Sequence, residues 1–432
     1  YYTEPSREIP VAAETEVLVV GGGPAGFGAA LHAARMGRKT MLIEQYGAVG
    51  GVATTGIMSH WTGRQDGGCF EELRAKARDC EAEQVINPEK LRILMLDMLM
   101  EAGVNVQLYT GFSDVIMEGN RVAGVITESK SGREAILSKM VIDSTGDGDV
   151  AERCGVPYEM GNEELKLMQP ATMFFHVNGV DAEKVEADIQ ANKDNFYRKN
   201  GVNYRSFHWR VAEARANGDW DLQRVSIGFF RMPKSDEWCV NTSRLMGVDS
   251  TDNESLTKAE MDGRKQVEEI FRFLKKYVPG CENAQLTASG SYVGIRESRH
   301  IRGEYRLTAD DLLDAKVPED SILVASNSVD VHGRFGPTSN EYIPIKGDYY
   351  GVPYRSLVPV DVDGLLLAGR CVSADSTAAG AIRVMPPSMA MGQAAGCAAA
   401  QAVQTGVEPR NIDIAALQRT LRAEGAYLPD VR

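Results

Sequence analysis

The sequence predicts an α/β protein of two domains: a parallel-sheet domain built from both ends of the chain, and a mixed α+β domain between them. Three observations carry this expectation. The apolar run Val17-Leu18-Val19-Val20 leads straight into the glycine-rich turn Gly21-Gly22-Gly23-Pro24-Ala25-Gly26. A similar apolar run, Leu365-Leu366-Leu367-Ala368, returns near the far end. The stretch between mixes aromatics, charges and both periodicities. At 432 residues the chain also exceeds what one core usually organises. The expected division is 1–160, 161–353 and 354–432, with the first and last pieces forming one domain.

Taken in order, the first ten residues read as a loose arm. Val17 to Val20 suits a strand buried on both faces of a parallel sheet. Ala25 to Met36 is alanine-rich and helical, and Lys39 to Glu44 is a second short strand. Strand, glycine turn, helix and strand make one βαβ unit of nucleotide-binding length. Pro88 to Ala102 reads as a helix, with apolar residues at Leu91, Leu94, Met95, Met98 and Leu99. Val104 to Ile142 reads as a β-meander insert, with turns at Glu118-Gly119-Asn120 and Ser131-Gly132. In the middle stretch, windows such as Lys258 to Tyr277 carry mixed signals. Leu365 to Ala368 is a buried strand again, and Met389 to Val403 a small-residue helix.

Composition narrows the class. Hydrophobic residues make up 43% and charged residues 25%, which fits a soluble globular enzyme. A net charge of -13 argues against nucleic acid as a partner. No apolar run approaches the ~20 residues of a membrane span. The seven cysteines are scattered, without C-x-x-C spacing. That argues against a disulfide framework, a metal centre and a dithiol relay, and suggests buried small hydrophobes in a cytoplasmic protein. The N-terminus carries no signal pattern, and because the chain starts at Tyr1 without Met, removal or omission of a leader stays open.

The glycine turn carries the strongest motif. Gly21, Gly23 and Gly26 form G-x-G-x-x-G between a strand and a helix that Pro24 and Ala25 open. Gly21 permits the tight turn, Gly23 lets backbone approach a pyrophosphate, and Gly26 lets helix pack on strand. The helix N-terminus offers free N–H groups to phosphate. Glu44, ending the second strand, is placed to bind the ribose hydroxyls and disfavours a 2′-phosphate. More distant segments suit a long dinucleotide. They are the Gly50-Gly51 turn, the Asp143-to-Asp149 turn with Gly146 and Asp147, Gly369-Arg370 followed by Asp375 and Gly380, and the helix with Gly392 and Gly396.

These segments resemble the glutathione reductase-type flavoproteins, and more closely the broad FAD-dependent oxidoreductase family. The resemblance runs through GGGPAG, IDSTGDGDVA, RESRHIRGEYRLT, VPYRSLVP and the LLLAGR-to-MGQAAG end, nearly the whole chain. It implies a Rossmann-like FAD-binding domain, with the C-terminal strand and helix meeting the ribityl chain and isoalloxazine. It places Asp375 near the ribityl–pyrophosphate region, and the helix starting near Ser388 at the flavin N1–C2=O edge. A second G-x-G-x-x-G unit is missing, so a resident nicotinamide is not expected. Oxygen, a quinone or a carrier protein remains as electron acceptor.

A flavin that oxidises an alcohol or amine carbon needs a base for the heteroatom proton, and histidine suits that task. His332 alternates with Asp330 if Val329 to His332 is a strand, so Asp330 would orient its imidazole. His300 lies in a polar segment with Arg296 and Arg299, which read either as carboxylate donors or as an ion-pair cluster with Glu297 and Glu304. Arg355, beside Tyr349, Tyr350 and Tyr354, reads as a substrate anchor or part of a domain junction. His60 follows the Gly50-Gly51 turn and can face a flavin, while His32 reads as structural. The expected catalytic set is therefore His332, His300, Arg296 and Arg355, acting on a small polar substrate. Reduction of a C=C bond, hydroxylation, and a flavin-bearing subunit of an electron-transfer complex stand as alternatives. Homo-oligomerisation stays open.

Overall fold

The expected buried strand is the end of β1 (Val11–Val20), whose last four residues are buried. Burial on both faces explains why that run is apolar without alternation. The computed structural model describes residues 2–429 apart from 4, 64, 79–84, 163, 165, 196, 200–201, 205–206, 234–235 and 334–339, so Cys80 lies outside the described residues. Helix α1 (Pro24–Arg35) and strand β2 (Thr40–Ile43) complete the βαβ unit. β2 pairs in parallel with β1 and with β3 (Asn105–Gln107). β4 (Gly111–Glu118), β5 (Arg121–Ser129) and β6 (Gly132–Asp143) form the antiparallel meander. The long β6 has a double role. Its start pairs with β5, and its end runs parallel to both β1 and strand Leu365–Leu367. Val20 is level with Ile43 and Asp143, and Asp143 with Leu367. Four parallel strands thus end together.

The C-terminal piece joins this domain through contact between helix backbones. A Cβ on Gly392 would stand 1.9 Å from the Ala25 carbonyl oxygen, and one on Gly396 2.2 Å from that of Ala29. Only glycine lets helix Met385–Thr405 lie so close to α1. The expected helix at Pro88 is present as Pro88–Glu101, with Leu91, Met95, Met98 and Leu99 buried.

A second core forms around a four-stranded antiparallel sheet of Phe229–Arg231, Trp238–Val240, Phe175–Asn178 and Gln285–Ser289. The ambiguous window at Lys258 belongs to a long helix, Asn253–Tyr277. Asp252 caps it by accepting the Ser255 N–H at 2.7 Å. Ala259, Gly263, Val267, Ile270 and Leu274 recur at helical spacing on its buried face. The cores divide the chain differently from the expected boundary at 353. Val293 and Ile295 pack in the second core, but Ile301, Leu323, Val331 and Tyr350 pack in the first. Strands Ser321–Ala325 and Tyr350–Pro353 pair with each other, and the former lies against helix Met385–Thr405. That tertiary packing returns the chain to the first body between Ile295 and Ile301. No helix among the described residues is long and apolar enough to cross a membrane.

The buried His176 links a half-buried acid of the second sheet to the loop at Ile57. His176 Nδ1 lies 3.1 Å from Glu237 Oε1, and its Nε2 3.0 Å from the Ile57 carbonyl oxygen. Ile57 has φ of 51°, a strained value for a β-branched residue, so its loop needs such a tether. Burial opposes charge on His176, but Cys239 and Glu237 outweigh it and hold its pKa up at about 10. An unfolded histidine titrates near 6.5. The stabilisation that Cys239 and Glu237 together give the charged ring is therefore full below about pH 6.5 and lost as pH rises through about 10. Glu237→Gln is expected to cost about 2 kcal/mol near pH 6, with the gap from wild type closing toward pH 11. Thermal unfolding across that range measures it, and a gap independent of pH would count against the charged pair.

Candidate active site

The four level strand ends open onto one cavity of about 860 Å³, within the roughly 300–1,000 Å³ range of small-molecule sites. Its floor comes from Val20 and Gly21, Ile43 and Glu44, Ser144 and Thr145, and Ala368 and Gly369. This is the crevice at the carboxyl ends of a doubly wound sheet, where such folds bind ligands.

The glycine turn is shaped by contact. Gly21 has φ of 99°, and a Cβ there would lie 2.5 Å from the Ser144 carbonyl oxygen. Gly23 differs, because a Cβ there would meet nothing within 4 Å. Gly23, Pro24 and Ala25 line the cavity at the N-terminus of α1, leaving room for a phosphate against backbone N–H groups. Glu44 accepts the Gly22 N–H at 2.7 Å and the Tyr46 N–H at 2.8 Å. Burial pushes its carboxyl pKa up, and those two bonds hold it back. Gly50 donates its N–H to the Gly22 carbonyl at 2.7 Å, setting Gly51 under the turn. Arg370 donates to the Gly146 carbonyl at 3.0 Å and pairs with Asp147 at 2.6 Å, tying two lining turns together. Val384, Met385 and Ser388, at the N-terminus of the C-terminal helix, complete this end. A turn open to phosphate, an acid at the second strand and a helix N-terminus suit FAD.

At the other end stands His332. Strand Val329–His332 puts His332 and Asp330 on the cavity, with His332 Nε2 3.2 Å from Asp330 Oδ2. Burial pushes the imidazole pKa down to about 4, Asp330 pulls it up, and Arg296 pushes it down again. Arg296 also lines the cavity and donates to the Pro170 carbonyl and, at 2.7 Å, to Thr172 Oγ1. His60 lines it too, its ring 4.6 Å from that of Phe230 and its Nδ1 2.7 Å from Ser59 Oγ.

Several expected site residues lie elsewhere. Asp375 caps helix Ser376–Ile382 by accepting the Ala378 N–H at 2.6 Å, and also accepts the Ala309 N–H at 2.7 Å. Its carboxylate serves those helix starts, and Asp375 is not among the residues that line the cavity. Gly392 and Gly26 serve packing, not lining. Arg355 is half exposed and pairs with Asp320 at 2.9 Å, outside the cavity. His300 is buried against Glu297 at 2.9 Å. Its effect on the cavity is indirect. Glu297 accepts the Gln169 N–H at 2.9 Å, and Gln169 Oε1 accepts from Arg383 Nη2 and the His332 N–H, each at 3.3 Å. Sequence reasoning missed Arg224, Arg244 and Arg383, and the Tyr46–Tyr292 stack at 4.8 Å beside Glu44. Only Arg383, just after the small-residue run at Gly380, had a nearby signal.

A family model described as FAD dependent oxidoreductase matches residues 16–421. The thiamine thiazole synthase of Methanococcus vannielii is 32% identical over 151 residues, 31% of this chain and 56% of that protein. The urocanate reductase of Eggerthella lenta is 28% identical over 153 residues, 31% of this chain and 25% of that protein. The chain thus spans about half the length of the first relative and about a quarter of the second. A geranylgeranyl bacteriochlorophyll reductase-like protein of Thermoplasma acidophilum superposes with a TM-score of 0.46 at 15% identity, covering 95% of this chain and 83% of that one.

Proposed function

The chain belongs to the FAD-dependent oxidoreductase family, and on that premise we propose that it oxidises a small polar organic substrate at an alcohol or amine carbon. FAD, held by the Gly21–Ala25 turn and Glu44, would supply the two-electron acceptor for the hydride of that carbon. His332 accepts the proton from the substrate oxygen or nitrogen. The C–H and O–H or N–H bonds break as a C=O or C=N bond forms. Asp330 fixes the imidazole's orientation, and Arg296 binds the substrate's polar end. The observation that carries this reading is the His332–Asp330 pair, at 3.2 Å, facing the same cavity as the glycine turn. Burial and the arginines keep His332 neutral at pH 7, the form that accepts a proton. Oxygen, a quinone or a carrier protein then removes the electrons.

An anaerobic screen of alcohols, amines, sugars and hydroxy acids tests it, read as bleaching of oxidised flavin at about 450 nm. Bleaching by an alcohol or amine is the expected result. If none bleaches, and an unsaturated acid instead oxidises the pre-reduced enzyme, hydride runs the other way and the oxidation reading falls.

A further inference from the structure

Four guanidinium groups from separate segments line the substrate end of the cavity: Arg224, Arg244, Arg296 and Arg383. Two of these arginines are fixed through their backbone and two through the guanidinium itself. The Arg224 carbonyl accepts the Trp220 indole N–H at 2.8 Å. Gln266 accepts the Arg244 N–H at 2.7 Å and donates to its carbonyl at 3.1 Å. Arg296 is held by Pro170 and Thr172, and Arg383 by Gln169 and the Asp330 carbonyl. Among the described residues, Asp330 is the acid lining this end, and its carboxylate already meets His332 at 3.2 Å and Arg383 at 3.9 Å. Other lining acids are committed elsewhere, Asp147 to Arg370, Asp149 to Arg299, Glu260 to Arg264 and the Val293 N–H, and Glu44 to the Gly22 and Tyr46 N–H groups.

The balance is lopsided. With Arg244 left aside, Arg224, Arg296 and Arg383 less the Asp330 carboxylate leave two positive charges among the described residues, with His332 neutral. Burial first, and neighbouring arginines second, push the pKa values of Arg244 and Arg296 down to about 9. The buried Nε atoms of Arg224 and Arg383 have no hydrogen-bond partner among the described residues. Unpaired buried charge is costly, so this cluster calls for an anion that arrives from outside. One carboxylate does not balance it, whereas two bring it near neutrality. The cofactor's phosphates have donors of their own, at Gly21 to Ala25 and α1, while the arginines adjoin Gln169, Pro170, Thr172 and Asp330.

We propose that the substrate is a small dicarboxylic acid, its two carboxylates shared among Arg224, Arg244, Arg296 and Arg383. This rests on the reading of the cavity as a redox site for a small polar substrate. Burial is the main cause of His332's low basicity, and anions in the cluster would offset the smaller push from Arg296 and Arg383, so substrate binding raises the base's proton affinity in part.

Calorimetric titration of the FAD-loaded full chain tests it without turnover. Malonate, succinate and glutarate are compared with acetate, propionate and the neutral succinamide. At least one dicarboxylate is expected to bind ten-fold or more tightly than either monocarboxylate, about the effect of one added charged hydrogen bond. Arg224→Gln and Arg383→Gln should each weaken it by about 10- to 100-fold, with flavin content and melting temperature kept. Where a glutamine variant misfolds, the lysine variant replaces it, and the wild-type series decides alone. Equal binding of mono- and dicarboxylates, or no dicarboxylate bound, overturns the proposal. So does loss of FAD in the variants with acid binding intact, which would assign the arginines to the cofactor. A hydroxy- or amino-dicarboxylate such as malate or aspartate that binds without bleaching the flavin upholds this inference while counting against the oxidation reading. A neutral alcohol that bleaches it while no dicarboxylate binds does the reverse.

Discussion

Gly26→Ala is expected to yield protein with less than about a tenth of the wild-type flavin, and with a much lower melting temperature. A methyl group there would stand 1.8 Å from the Gly21 carbonyl oxygen and 2.8 Å from Ser144 Oγ. Neither neighbour can yield. The Gly21 carbonyl belongs to the turn itself, and Ser144 Oγ donates to both the Gly21 carbonyl at 2.8 Å and the Val20 carbonyl at 2.9 Å. To fit a methyl, α1 must lift from β1, which also pulls its N-terminus off the phosphate position. The lift cannot be local, because α1 touches helix Met385–Thr405 through Gly392 and Gly396. We therefore expect a cost above about 3 kcal/mol, at the upper end for overpacking. Gly23→Ala is the control. Its Cβ would meet no protein atom within 4 Å, so the fold should survive while FAD binding weakens. Flavin absorbance per polypeptide and thermal unfolding separate the two variants. A Gly26→Ala protein that kept its flavin would show that the turn shifts more freely than this packing allows.

That contrast shows why some of the site was legible in the sequence. Gly21, Gly23 and Gly26 answer steric demands set within one strand, turn and helix, and so announce themselves locally. Glu44, Gly51, Gly146 and Gly369 were legible because each follows a strand whose end lies on the cavity. Asp375 misled for a physical reason, since an acid before a helix suits an N-cap as well as a ligand. The arginines were opaque. Arg224, Arg244, Arg296 and Arg383 come together only when the second core settles over the first, and no local spacing records that. The same settling explains why the chain changes core between Ile295 and Ile301, and the place of His300, whose partner Glu297 is a buried support for Gln169. Alternation of Asp330 with His332, a purely local signal, did place that pair on one face.

His332→Ala is expected to slow anaerobic flavin reduction by about 10²- to 10⁴-fold, the range for a lost general base, with FAD content unchanged. The proton-accepting form is the neutral imidazole. With its pKa near 4 in the free protein, kcat/KM should stay level from neutral pH down to about 5 and fall as pH drops through about 4. His332→Ala should remove that limb along with the rate. Asp330→Asn gives a second, signed readout. Asp330 favours the imidazolium, so its loss should move the limb to still lower pH, while the freed ring loses its orientation and rate. Stability must follow by linkage. The unfolded histidine takes up its proton as pH falls below about 6.5, whereas the folded one resists until about 4. Wild type should therefore lose stability across that interval, and His332→Ala should lose less. A variant that reduced its flavin as fast as wild type would transfer the base role away from His332. His60 would then be the next candidate, since it is the other histidine among the described residues that lines this cavity.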